Sequence, residues 1–314
     1  MAQPPSSNAS VLPPTQQTLL AIGVLMVSLL VFLFSDNLNK LLILEVPLAQ
    51  FYFVRNALAV LLLAGYFVIA KRRQLFATAA PVRQLLRGVF YAIINLGYLF
   101  ALREMPVTLI NTGLALAPLL ITALSPWLLK ERVSRLQWLA TTMGFIGVCF
   151  IVQPDFEQTS LAALLGLAVL PLCYVLILIL SKQLASTESG WTMNFYSFAV
   201  VTLLAAWWGV QQWQPLSLKL WLAMLLSAVM VIAAFGLLVH AFSLTRAALL
   251  APFEYLGILM ALITDMWLWG VIPGALMVVG VGFILLCGGL QLVESRRSPA
   301  PVSAHIHPMD THQD

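Results

Sequence analysis

Apolar runs of roughly 20 residues, separated by short polar breaks, recur from Thr18 to Val293. A run of that length crosses a ~30 Å hydrocarbon core as an α-helix. Read between the breaks, the pattern predicts ten spans near 18–44, 47–69, 83–103, 107–129, 135–152, 161–181, 191–210, 219–243, 247–269 and 273–293. The ~10-residue alternating segments of a transmembrane barrel do not occur, so the predicted fold class is an all-α polytopic membrane protein. The first span is long and is expected to tilt or to end irregularly between Ser35 and Lys40. Pro118, Pro126, Pro171 and Pro252 fall inside or near the ends of spans, where each removes a backbone donor and can kink a helix.

Composition agrees with the pattern. The 314 residues are 61% hydrophobic and 9% charged, against about 25% charged in an ordinary soluble domain. The net charge of +4 suggests nucleic acid only until the basic residues are placed, for nearly all sit in the short connections between spans. With the N-terminus inside, Lys71, Arg72, Arg73, Arg83, Arg87, Lys130, Arg132, Arg135, Lys182, Arg246, Arg296 and Arg297 all fall on the cytoplasmic side, and Lys40, Arg103 and Lys219 fall outside. This bias predicts an inner-membrane protein with both termini cytoplasmic. The first seventeen residues carry no Lys or Arg, unlike the start of a cleaved signal peptide, so the first span is expected to be retained. Cys149, Cys173 and Cys287 lie inside spans without metal or redox spacing and read as packing residues. His305, His307 and His312 could ligate a metal by composition, but they sit in a tail that reads as solvated, so no metal site is expected.

The chain also repeats itself. A shift of about 140 residues lays Phe100-Ala101-Leu102 on His240-Ala241-Phe242, and the basic connection Lys130-Glu131-Arg132 on the uncharged Gly270-Val271-Ile272. Two five-span halves of opposite orientation require such a reversal of charge. The predicted organisation is a disordered tail over 1–17, a first five-helix repeat over 18–152, a second over 161–293, and a disordered tail over 294–314.

The residues that carry this pattern are Pro47-Leu48-Ala49-Gln50 with Arg55, Tyr98-Leu99-Phe100-Ala101-Leu102, Ala117-Pro118 leading to Lys130-Glu131-Arg132, Thr187-Glu188-Ser189, and Ala251-Pro252-Phe253-Glu254-Tyr255. In that order and spacing the chain resembles the EamA branch of the drug/metabolite transporter superfamily. The resemblance implies ten helices in two inverted repeats around a central cavity open alternately to each side. It implies a solute among amino acids, nucleotide-like metabolites, vitamins such as riboflavin, or drugs. The chain departs from the family pattern after the ninth span, where Trp269-Gly270-Val271 stands in place of a second acidic residue; the matching Glu131 lies at a helix boundary where a carboxylate can cap or pair locally.

Ionisable groups inside spans cost roughly 2.5–3.5 kcal/mol at the bilayer centre, so each needs a partner or a purpose. Asp36 and Arg55 lie about nine residues either side of a hairpin at Glu45-Val46, hence both about 14 Å from it, and are placed to pair. Such a pair either neutralises two helices or contacts substrate, and Asn37 and Asn56 flank it. His240 and Glu254 flank the connection near Thr245 at depths within about 6 Å of each other. An imidazole and a carboxylate are groups able to carry a transported proton. Asn95, Tyr98, Asn111 and Tyr255 add hydrogen-bonding groups to apolar helices, and the two tyrosines either stack on a planar solute or simply pack. Trp267 and Trp269, beside Asp265, read as an interfacial anchor. Gly144, Gly147, Gly280, Gly282, Gly288 and Gly289 read as points of close helix contact.

The function expected is secondary transport of a small organic metabolite by alternating access, with proton coupling as one option. The expected partners are that solute, protons and membrane lipids, without nucleic acid or cofactor, for a monomer or homodimer. An intramembrane enzyme is the alternative; it would need paired catalytic groups such as an HExxH metal motif, which the sequence lacks.

Overall fold

The computed structural model describes residues 14–104, 114–152, 161–269 and 274–297. Ten helices longer than two turns are found among them: α1 (Pro14–Glu45), α2 (Leu48–Ile69), α3 (Pro81–Glu104), α4 (Ala117–Leu128), α5 (Arg135–Val152), α6 (Leu161–Leu184), α7 (Gly190–Gln211), α8 (Leu218–Leu244), α9 (Leu256–Trp269) and α10 (Ala275–Arg297). Five stretches, Gln16–Glu45, Leu48–Ile69, Gly190–Gln211, Leu218–Leu244 and Ala275–Ser295, are long and apolar enough to cross a membrane by themselves. Surface and interior are exchanged relative to a soluble protein. Leu44, Ile69, Trp127 and Trp267 are more than four-fifths exposed, while Gln84, Arg87, Asn56 and Asn194 are fully buried. Such a surface suits hydrocarbon.

Local chemistry sets the helix starts. Ser134 and Gln137 form a reciprocal box before α5: the Ser134 amide donates to Gln137 Oε1 at 2.7 Å and the Gln137 amide to Ser134 Oγ at 3.1 Å. Ser189 and Ser217 cap α7 and α8 by accepting from the Trp191 and Leu220 amides. Two expectations are corrected. α1 runs unbroken through Ser35–Lys40, because Asn37 Nδ2 turns back onto the Leu33 carbonyl of its own helix at 2.8 Å. The ninth span is not one helix: an α-turn (Ala247–Leu250) and a 3₁₀ turn (Ala251–Tyr255) precede α9, since Pro252 has no amide hydrogen to continue the ladder.

Neighbours in sequence are not the main neighbours in space. Among the described residues, α5 packs chiefly on α10, α1 on α8 and α2 on α7, and α3 lies against α6 and α7. Adding five to each helix number permutes these pairings into one another: α1–α8 becomes α6–α3, α2–α8 becomes α7–α3, α4–α6 becomes α9–α1, and α2–α7 and α5–α10 map onto themselves. The first and last five helices thus interlock with a pseudo-twofold relation.

Glycine decides the tightest of these seams. A Cβ on Gly280 would stand 2.5 Å from the Gly147 carbonyl oxygen, and one on Gly147 2.8 Å from that of Gly280, so α5 and α10 meet backbone to backbone. Gly144 admits the Tyr255 ring to the same seam, whereas Gly282 and Gly289 face open space.

The connections sort to two ends. The α2–α3 connection meets the one between α6 and α7, where Glu188 Oε1 accepts from Thr78 Oγ1 and the Ala79 amide, each at 2.7 Å. The α4–α5 connection meets the one after α8, where Arg246 Nη1 donates to the Arg132 carbonyl at 3.1 Å. At the opposite end Gln50 clasps the α7–α8 connection, donating to the Gln214 carbonyl at 2.7 Å and accepting from its amide at 3.0 Å. One continuous apolar core joins Leu25 (α1), Leu63 and Phe67 (α2), Ile121 (α4), Leu178 (α6), Phe198 (α7) and Phe242 (α8).

Candidate functional site

Inside the bundle, one face of α3 is polar where its surroundings are not. Gln84, Arg87, Tyr91 and Asn95 recur at spacings of three and four residues, which place them on one helical face, and all four are buried. Gly88 lets this helix lie against α7, for a Cβ there would be 2.6 Å from Val200 Cγ2.

The upper centre joins α2 to α3. Arg55 Nη2 donates to Asn95 Oδ1 at 2.8 Å, and Asn95 Nδ2 donates to the Tyr91 carbonyl at 2.7 Å. The guanidinium carbon stands 5.1 Å from the Phe51 ring centroid and 5.2 Å from that of Tyr52, cation–π distances that offset part of its desolvation. Its buried Nε meets no hydrogen-bond partner among the described residues. This guanidinium thus contacts Asn95 and two rings. α1 leans on α8 and touches α2 little, and Asp36 is exposed on α1.

The lower centre is Arg87, which the sequence reading counted with the basic residues of the cytoplasmic side although it falls within the span near 83–103. It lies in the second turn of α3 and is fully buried. Its Nε donates to Ser181 Oγ at 2.7 Å, Nη1 to Ser197 Oγ at 2.6 Å and to the Met193 carbonyl, and Nη2 to Asn194 Oδ1 at 3.3 Å. The guanidinium carbon is also 5.6 Å from the Phe235 ring centroid. Every one of these partners is neutral.

The remaining candidates separate. Glu254, half-buried in the 3₁₀ turn, accepts from the Tyr174 hydroxyl at 3.1 Å, while His240 is exposed on α8 and its carbonyl accepts from Ser243 Oγ. Similar depth does not bring these two together, because they face different ways. Tyr255 is buried among α5, α9 and α10, its ring against Gly144 and its hydroxyl without a hydrogen-bond partner among the described residues; it packs instead of facing the polar column. Asn37 serves its own helix, and Asn56 Nδ2 does the same by donating to the Tyr52 carbonyl at 2.7 Å. Tyr98 lies on α3, with its side chain outside the described residues, and Asn111 lies outside them altogether. Glu131, whose family counterpart is missing in the second half, does cap and pair: Lys182 Nζ is 2.5 Å from its Oε1, and the Ala247 and Ala248 amides donate to it at 3.0 and 3.2 Å.

Comparison with known proteins decides what such a bundle is. The EamA-like transporter family matches over residues 14–153, and the riboflavin transporter of Vibrio cholerae is 30% identical over 240 residues, 74% of this chain and 78% of that one. The chain belongs to the EamA-like transporter family. An S-adenosylmethionine uptake transporter of Rickettsia prowazekii is 26% identical over 70% of this chain and 74% of its own length. The pseudopaline exporter of Pseudomonas aeruginosa is 25% identical over 89% and 98%. A solved crystal structure superposes with a TM-score of 0.74 at 16% identity, covering 88% of this chain and 98% of the other, a likeness of fold alone. This EamA-like protein is a multi-pass membrane transporter, not an enzyme.

Proposed function

We propose that this EamA-like protein is a secondary transporter that moves a small organic metabolite, of the amino-acid, vitamin or nucleotide-like class, across the inner membrane by alternating access. The observation that carries the reading is the polar column of α3, held between helices of both five-helix sets and shielded from lipid. Buried charge is costly for a scaffold and useful to a carrier. The basic bias of the connections supports cytoplasmic termini, with residues 18–152 and 161–293 as the two moving halves between terminal tails. Glu254, which accepts from the Tyr174 hydroxyl and meets no cation among the described residues, is the group suited to carry a proton if transport is coupled.

Counterflow into proteoliposomes tests the proposal with labelled riboflavin, S-adenosylmethionine and a panel of amino acids. At least one solute should move saturably and emerge chemically unchanged, and Arg55→Gln should cut that movement by on the order of tenfold or more, as expected when a buried charge-assisted contact is removed. Folded protein that moves none of them, or converts one, would overturn it.

A further inference from the structure

We propose that Arg87, Asn194 and Gln84 form a subsite for the oxyanion of the transported solute, a carboxylate or a phosphate. The inference rests on the transport reading above and names its substrate class.

The argument begins with charge. Arg87 is fully buried, and its four hydrogen-bonded partners are two serine hydroxyls, an amide oxygen and a backbone carbonyl. These satisfy the geometry of the guanidinium and leave its charge uncompensated. A protein that needed only a rivet here would gain more from a carboxylate or from an apolar side chain.

The second observation is independent of Arg87. Both amide atoms of Gln84 and the Asn194 amide nitrogen meet no hydrogen-bond partner among the described residues, and both side chains are fully buried. Buried amides are ordinarily satisfied, so the unmet Asn194 Nδ2 beside the guanidinium and the unmet Gln84 Nε2 one helical turn away point to a missing ligand. Asn194 touches Arg87 directly through its oxygen, and Gln84 precedes Arg87 by one helical turn on the same face of α3.

The donors define the ligand. The Arg87 guanidinium, the Asn194 and Gln84 amide nitrogens and the Ser197 hydroxyl offer protons here without an acidic side chain among them, while Ser181 Oγ spends its own proton on the Ile177 carbonyl. That set fits the oxygens of a carboxylate or phosphate and repels a cation. On the α8 side Gly236 faces Asn194: a Cβ there would lie 3.7 Å from Nδ2, an ordinary contact. The donors come from α3 of the first five helices and from α7 of the last five, so an anion held between them favours closure of this end.

The test uses the full chain in detergent and in proteoliposomes, with three anions, succinate, L-glutamate and adenosine monophosphate, each against its neutral partner, succinamide, L-glutamine and adenosine. At least one anion should raise the unfolding temperature of the wild type where its neutral partner does not. Arg87→Gln and Asn194→Asp should each weaken that anion's binding by on the order of 30-fold or more. Asn194→Asp places a fixed carboxylate against Arg87 and should itself unfold at a higher temperature than the wild type, which separates lost binding from lost folding. The assignment is overturned if none of the three anions stabilises the wild type, or if Asn194→Asp binds them as the wild type does. An anion that binds but never crosses proteoliposomes leaves the subsite and removes the transport reading; movement of neutral partners alone does the reverse.

Discussion

Glu131 ties three segments of its end of the bundle together, and its removal should be costly in a calculable way. The carboxylate is 8% exposed and takes the Lys182 ammonium at 2.5 Å along with the Ala247 and Ala248 amides at 3.0 and 3.2 Å. Losing the cap in Glu131→Ala costs about 1 kcal/mol. Stranding the charge of Lys182 would cost about 3–5 kcal/mol at full burial. Lys182 is 20% exposed and keeps the Thr245 carbonyl as an acceptor, which discounts that term to about 2 kcal/mol. The sum, about 3 kcal/mol, corresponds to roughly a hundredfold shift away from the folded arrangement. Lys182→Met removes the cation but leaves Glu131 its two amide donors, so it should cost less, about 1 kcal/mol. The assay is denaturant unfolding in detergent of the wild type, both single variants and the double variant. The double variant should be less damaged than the two singles summed, by about 1–2 kcal/mol. Losses that add within about 0.5 kcal/mol would refute the clamp.

Three further outcomes are expected. Gly280→Ala should lower stability by about 1–3 kcal/mol, since its methyl would meet a backbone oxygen at 2.5 Å, while Gly282→Ala, which faces open space, should be nearly neutral; thermal unfolding of the two variants checks both. Glu254→Gln should abolish accumulation driven by an imposed pH gradient while sparing downhill exchange, as measured in proteoliposomes; a glutamine variant that still concentrates solute would remove Glu254 from coupling. A reporter fused after Arg297 should be cytoplasmic and one inserted near Gln214 external; an external C-terminal reporter would reverse the orientation.

The helices were legible because hydrocarbon imposes one rule on every span. The span read as 135–152 coincides with α5 (Arg135–Val152), and the pair Ala251-Pro252 marks the broken entry to α9. Side-chain partners were less legible, since they depend on which helices meet. Asp36 and Arg55 were matched by counting outward from a hairpin, a count that does not foresee that Arg55 also meets Asn95 on α3 or that α1 packs chiefly on α8. His240 and Glu254 share a depth, but depth says nothing about azimuth. Arg87 was counted only for topology: an arginine four residues past the start of the span at 83 passes for one more basic residue of the cytoplasmic side. The signal that would have recovered it is the recurrence of Gln84, Arg87, Tyr91 and Asn95 at helical spacing, a polar stripe on an otherwise apolar segment.

The interlocking of α1 with α8, α2 with α7 and α5 with α10 also constrains how the protein is made. A ribosome delivers the first five helices before any of their principal partners exists, so α5 enters the bilayer with its Gly147 face bare and waits for α10. Assembly therefore waits on the second five helices, and a chain truncated before α10 lacks the partner that closes its tightest seam. The same arrangement makes the two five-helix sets complementary pieces: expressed as separate polypeptides in one membrane, each carries the surfaces that the other lacks.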